Sequence, residues 1–511
     1  MDYGIGNWMR RRSQLSNRNI AISTRNEAIS YQSLNLRSDR LANSLASTGV
    51  RLGDRVALLL ENSPEWIELF FAIAKLGGIV VPIDSTLTPD EVSFILTDSR
   101  PRIAFTSNIY SDILQKALKE TSMELDLVVE AHAENGPFAN YDDYAHSGSA
   151  DFPPQQISGS EILMISYTTG PALRPKGAII THANITSHTV SMITSRLGLT
   201  GVDETLAIEP FTNVFGLGTL ALPLLYLGGT VHIDRRLKPT DYIDALNRTD
   251  PSIISLSFHT WSEVTDHMKQ QSLNLPSLRH ALCTEGQLSP ATSKLMRSQG
   301  IEVANTYGLV ELCGVGTLEE PTDSFAQTVH RGKPLLDIEI KAIDPNGAPL
   351  SGELTGELVF KGPSVFKGYW NLPAETSQAL KDGALHSGET GYLDREGNLY
   401  VSGTSDSWSQ INNRFSFKEI EMALATQKEI SEIAAVGVTG DGQDKAVLVA
   451  VVLKPQFDLT AAEITQRLKK LWPSNTHSTR VIVLDQLPRS ASGKILKSEI
   501  EKIYLNQGKI S

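Results

Sequence analysis

The chain reads as an α/β protein. A large N-terminal region of doubly wound α/β layers carries a small β-barrel subdomain, and a small, mobile α+β C-terminal domain follows. Three observations give that reading. Apolar runs of strand length alternate with helical patterns from Ala28 onward, which is how a parallel sheet flanked by helices is written. From about Ile338 the pattern shifts to short strands split by Gly, Pro and Asn turns. After Gly403 a fresh set of strand and helix signals begins. The length of 511 residues agrees, being too great for one core.

Taken in order, Ala28-Ile29-Ser30-Tyr31 and Arg55 to Leu60 read as strands. Ser63 is an N-cap and Pro64 the first residue of a helix that stops at Gly77-Gly78. Ile79 to Ile83 is a strand, Thr88-Pro89-Asp90-Glu91 a capping box, and Ile103 to Thr106 another strand. The polar stretch from Gly136 to Ser160, with Pro153-Pro154, reads as a linker. Ile162-Leu163-Met164-Ile165 is a buried strand. A second α/β unit follows, through apolar Leu220 to Leu227 and the strand Val231-His232-Ile233. Ile338 to Ile340, Glu357 to Phe360 and Leu399 to Val401 are the short strands of the barrel-like part. Ser416 to Glu419 caps a new helix. Ile433 to Val438, Ala446 to Leu453 and Val481 to Leu484 are strands, and Ala461 to Leu471 is a helix. The domains are therefore 1–403, a hinge at 404–407, and 408–511.

Composition narrows the function. A net charge of −12 argues against nucleic acid, which wants a basic face. Two cysteines, Cys283 and Cys313, are too few for a disulfide scaffold, so reduced thiols and a cytoplasmic location are expected. Arg10-Arg11-Arg12 has no apolar run after it, so no signal peptide is expected. Leu69 to Ile83 is the most apolar region, but Lys75 and Gly77-Gly78 interrupt it, so no membrane span is expected.

The stretch from Tyr167 to Ala178 carries the chemistry. It runs Tyr-Thr-Thr-Gly-Pro-Ala-Leu-Arg-Pro-Lys-Gly-Ala after a strand and before Ile179 to Ile185, which lead into an expected helix. A strand, a loop of Thr, Gly and Lys, then a helix would surround a polyphosphate with N–H groups and an ammonium. It is not a Walker loop, because Pro175 and Gly177 flank Lys176 where that pattern needs Gly and a hydroxyl. Read alone, the stretch is also an ordinary surface turn.

The stretch resembles the phosphate loop of the adenylate-forming superfamily, which includes acyl-CoA synthetases, luciferases and the adenylation domains of peptide synthetases. That loop reads Tyr-Thr-Ser-Gly-Thr-Thr-Gly-x-Pro-Lys-Gly. This chain keeps Tyr167, Thr168, Gly170, Pro175, Lys176 and Gly177, and has Pro171-Ala172-Leu173 where relatives have Thr-Thr-Gly. Further motifs follow in family order. Asn305-Thr306-Tyr307-Gly308-Leu309-Val310-Glu311 looks like Tyr-Gly-x-Thr-Glu. Leu278 to Leu288 looks like the strand and loop over the adenine, with Glu285 and Gln287 where relatives have small residues. Pro210 to Gly216 looks like the acyl-pocket element, with Asn213 in place of His. Gly356 to Pro363 and Gly368-Tyr369-Trp370-Asn371 match scaffold motifs. Ser387 to Asp394 stands for Thr-Gly-Asp-x-Gly-Tyr, with Glu389 for Asp. Gly403-Thr404 stands for Gly-Arg, so a cation that contacts the nucleotide in relatives is replaced by a hydroxyl. Trp408 to Arg414 covers the hinge and pantetheine loop, with Gln410 and Asn412-Asn413 in place of Lys and the Gly pair. Leu487 to Leu496 is the C-terminal signature.

The resemblance implies an acyl-CoA synthetase-like enzyme that uses ATP, Mg2+ and CoA. It would turn a carboxylic acid, in the first reading a fatty acid, into an acyl adenylate and then a thioester. Thr168, Thr169, Gly170, Lys176, Glu285, Gly286, Asn305, Tyr307, Gly308 and Glu389 would bind ATP. Glu311 would hold Mg2+, and Lys494 would stabilise charge during attack on the α-phosphate. Asn213, Val214, Phe215 and Gly216 would line the acyl pocket. The alternatives are an adenylating enzyme whose acceptor is an acyl carrier protein or another nucleophile, and a non-catalytic relative that binds a ligand or partner; a homodimer is a separate expectation.

Overall fold

The computed structural model describes residues 4–404 except 122–124, 134–135, 169–174, 236, 269–270, 287, 289 and 320–329. Beyond 404 it describes chiefly 429–439, 445–471, 479–489 and parts of 495–504. The largest sheet has eight strands. Strands Arg55–Leu59, Ile79–Pro82, Ile103–Ser107, Leu127–Ala131, Ala139–Asn140 and Ile162–Thr168 pair in parallel. Lys176–Thr181 and then Gly368–Tyr369 extend it antiparallel. The helices between the parallel strands start where local chemistry directs. Ser63 accepts a hydrogen bond from the Trp66 amide at 3.2 Å and opens helix Pro64–Leu76. Thr88 and Glu91 exchange hydrogen bonds as a capping box at Pro89–Ser99. Helix Pro64–Leu76 is buried on nearly every face, with Trp66, Phe70 and Phe71 fully enclosed. A helix apolar all round belongs in the interior, and this one packs between the sheet and helix Tyr31–Ser47.

One expectation is corrected, and one strand is added. The stretch 136–160 is not an open linker. Asn140 caps a short helix, Tyr141–Ser147, whose Tyr141 and Tyr144 are buried against Phe105. Between the phosphate loop and the expected helix lies a strand that the sequence did not mark. Lys176–Thr181 pairs back on Ile162–Thr168, with Lys176 opposite Thr168, and helix His182–Ile193 begins only after Thr181. The run Ala178-Ile179-Ile180 has no polar face to expose, which suits a strand inside a covered sheet.

A second sheet sets three parallel strands, Ile253–Ser257, His280–Thr284 and Val303–Leu309, beside two antiparallel ones, Gly314–Leu318 and Lys333–Pro334. The short strands foreseen after Ile338 form a third, antiparallel sheet: Glu339–Ile343, Gly356–Lys361, Leu380–Lys381, Ala384–Leu393 and Leu399–Thr404. In the C-terminal part, Ile430–Thr439, Lys445–Leu453 and Thr479–Val483 form a three-stranded sheet, with helix Ala461–Leu471 between the last two. The cap proposed at Ser416 to Glu419 lies outside the described residues. Both cysteines are free and buried. Among the described residues no helix is long and apolar enough to cross a membrane.

Candidate active site

Three groups of expected site residues meet around the loop Gly308–Gly314. The first lies at the base of the phosphate loop. The strand pairing places Thr168 and Lys176 side by side where that loop leaves the sheet. The Lys176 ammonium stands 5.1 Å from the centre of the Tyr369 ring. Tyr369 donates its hydroxyl to Glu311 at 2.7 Å. Its own strand is pinned to the sheet by the Trp370 amide, which donates to the Gly177 carbonyl at 2.7 Å. An ammonium and a carboxylate thus share one aromatic ring. Burial and the Glu311 carboxylate push the Tyr369 hydroxyl far above its ordinary value, so it stays a donor. Tyr167 anchors the other side of the loop, donating to Asp98 at 2.6 Å. Thr169 and Gly170 lie outside the described residues.

The second group is built on Tyr307. Its ring stacks on Phe360, with centroids 5.7 Å apart and planes 17° from parallel. Its hydroxyl donates to Glu389 at 2.7 Å. Burial and then Glu389 hold that hydroxyl protonated at any working pH. Across the same space the Gly286 carbonyl accepts from the Arg331 guanidinium at 2.6 Å. Asn305 is turned to Glu319, which accepts from its amide nitrogen at 2.8 Å and its backbone N–H at 2.7 Å.

The third group is the turn after Pro210. Asn213 caps it by accepting from the Phe215 amide at 3.0 Å. Gly308 is required here. A methyl on it would collide with the Gly314 carbonyl and approach the Phe215 ring to 2.9 Å. Gly314, at φ +128°, similarly admits Val214 and His188. Val214, Phe215 and Gly216 therefore pack beneath the loop that carries Tyr307 and Glu311. One contact joins the second and third groups: Asn213 donates its side-chain amide to Glu285 at 2.8 Å. Glu285 has φ +54°, the left-handed region that a side chain disfavours. A glycine would adopt that backbone without strain.

The donor set suits magnesium bound through phosphate. Among the described residues no three His, Cys, Asp or Glu side chains cluster as a metal cage. Mg2+ held by one carboxylate and nucleotide oxygens needs none, and Glu311 supplies a hard oxygen next to Lys176. Lys494 lies outside the described residues. Sequence reasoning missed Arg331 and gave Tyr369 only a scaffold role. Neither is marked locally, since each acts on a partner many residues away.

Comparison with known proteins agrees with this geometry. The pattern of the family "AMP-binding enzyme" matches residues 9–370, and that of "AMP-binding enzyme C-terminal domain" matches 419–494. A feruloyl-CoA synthase from Amycolatopsis sp. is 27% identical, over 98% of this chain and 99% of its own. A 2-succinylbenzoate–CoA ligase from Bacillus subtilis is 28% identical, over 97% of each. The crystal structure of the anthranilate CoA ligase AuaEII with anthranoyl-AMP superposes with a TM-score of 0.89 at 21% identity, covering 100% of this chain and 98% of its own. With its two patterns in order along the sequence, the chain belongs to the AMP-binding enzyme family.

Proposed function

We propose that the protein is an ATP-dependent acid–CoA ligase. The observation that carries this is that Lys176 and Glu311 share the Tyr369 ring, while Tyr307, four residues before Glu311, holds Glu389. That spacing offers a cation and a carboxylate to phosphate and an aromatic face to a base. The family relatives support it, being named as CoA ligases for ferulic, succinylbenzoic and long-chain fatty acids.

In the first half-reaction a carboxylate oxygen attacks the α-phosphorus of ATP and pyrophosphate leaves. Lys176 neutralises charge on the phosphates at the mouth of its loop. Bound Mg2+ would screen the same oxygens, held by Glu311. Tyr307 presents its ring to the adenine, and Glu389 accepts from the ribose. Asn213, Val214, Phe215 and Gly216 border the acyl chain. Lys494 approaches from the C-terminal domain as the adenylate forms. In the second half-reaction the CoA thiol adds to the acyl carbon and AMP leaves. We place the domain hinge at 404–407 and the reaction in the cytoplasm, where the two free cysteines stay reduced. A fatty acid and an aryl acid both remain in the substrate class, and free CoA is the acceptor in preference to a carrier protein.

Pyrophosphate exchange with ATP, Mg2+ and a panel of fatty and aryl acids tests the reading. Acid-dependent exchange in the wild type, lost in Lys494→Ala, supports it. No exchange with any acid, in protein that is folded, would favour a ligand-binding relative without catalysis. Exchange without CoA-dependent AMP release would move the acceptor to another thiol.

A further inference from the structure

Among the described residues Arg331 is a buried cation without an ion pair. It is 5% exposed, and burial holds its guanidinium below the usual arginine range. One donor, Nη1, is committed to the Gly286 carbonyl at 2.6 Å. Among the described residues no carboxylate pairs with it. Glu389 and Glu319 act on it only through space. Its Nε and Nη2 make no hydrogen bond among the described residues, yet neither is sealed from solvent.

The backbone around it is rigid. The Arg331 amide donates to the Leu399 carbonyl at 2.6 Å, and Leu399 returns a bond to Gly332 at 2.8 Å. Thr317 donates its hydroxyl to the Arg331 carbonyl. The side chain is therefore fixed at the root and reaches Gly286 within range of the Tyr307–Glu389 pair. Removing a guanidinium from water costs several kcal/mol unless an anion meets it, on the order of the cost for any buried ion. A fork of donors left open is suited to phosphate.

We propose that Arg331 binds nucleotide, its Nε and Nη2 meeting a phosphate oxygen of ATP or AMP. It then supplies the cation that position 404 lacks. The strand pairing puts position 404 directly opposite Glu389 on the neighbouring strand, and the Glu389 charge acts on Arg331, so both positions neighbour Glu389. The inference rests on the nucleotide site proposed above. The alternative is a clamp that merely holds Gly286.

Titration calorimetry with adenosine, AMP and ATP·Mg separates these. Wild-type binding of ATP·Mg tests the site itself, independently of Arg331. Given that binding, Arg331→Met should weaken AMP and ATP about tenfold to a hundredfold, the range for a charge-assisted hydrogen bond, and leave adenosine within about twofold. Thr404→Arg in the Arg331→Met background should restore much of the AMP affinity. Equal loss for all three ligands would make Arg331 a clamp, and no loss would remove it from the site. If Arg331→Met does not fold, Arg331→Lys is read on the same ligands. A loss confined to the phosphorylated ones supports the proposal, because an ammonium lacks the fork. A uniform or absent effect overturns it.

Discussion

Tyr307 gives its hydroxyl to Glu389 while its ring lies on Phe360, so one side chain ties the parallel-stranded sheet to the antiparallel one. Tyr307→Phe keeps the stack and removes the tie. Stability should fall by about 1 kcal/mol, the usual worth of one hydrogen bond, with a further loss if Glu389 is left poorly solvated. The KM for ATP should rise several-fold with kcat less affected. Steady-state kinetics that show kcat falling alone would separate this pair from nucleotide binding.

Glu311 and Tyr369 give a prediction on metal dependence. Glu311→Gln preserves an acceptor for the Tyr369 hydroxyl but removes the negative charge. The Mg2+ concentration for half-maximal pyrophosphate exchange should rise, and thermal stability should change little. Glu311→Ala should raise that concentration too and also lower stability by about 1 kcal/mol, because the half-buried Tyr369 hydroxyl loses its acceptor. Unchanged Mg2+ dependence in the Gln variant would dismiss Glu311 as a ligand.

The left-handed backbone at Glu285 can be read directly. Glu285→Gly and Glu285→Ala both lose the Asn213 bond, but only Gly relieves the backbone. Their unfolding free energies should differ by about 1–2 kcal/mol in favour of Gly. Equal stabilities in urea would mean that residue 285 is not held at positive φ in solution.

Two buried histidines and one buried acid set opposing pH dependences. Burial lowers His182 and His188 from 6.5 to about 4, and burial together with Glu65 raises Glu68 from 4.5 to about 7. Between about pH 4.5 and 6.5 the unfolded chain therefore binds two more protons at the histidines and one fewer at Glu68. The net excess is one proton on the unfolded side, so stability should rise with pH by up to about 1.4 kcal/mol per unit. Glu68→Gln removes the opposing group and should steepen that slope. Urea unfolding at pH 5 and 6 measures both slopes, and a shallower slope in the variant would contradict the assignment.

Local chemistry made much of the first sheet legible. Ser63, Pro64 and Gly77 mark both ends of a helix within a few residues, and the structure starts and stops it there. Thr88 and Glu91 do the same. The strand after the phosphate loop was not legible, because Ala178-Ile179-Ile180 is short and apolar and its partner strand decides its form. Helix Tyr141–Ser147 hid in a polar stretch, since only Tyr141 and Tyr144 face inward. In the site, residue types could be aligned to motifs, but contacts could not. Nothing near Arg331 announces Gly286, and nothing near Asn213 announces Glu285.

That last contact has a practical consequence for reprogramming the enzyme. Asn213 and Glu285 each depart from the family type, and they touch. A scan that changes either one alone breaks the bond between them, so its result is read against an unmatched neighbour. The double variant measures the coupling that single-site screens do not. Libraries aimed at new acids should therefore randomise 213 and 285 together, because the fitness landscape at these positions is epistatic by construction.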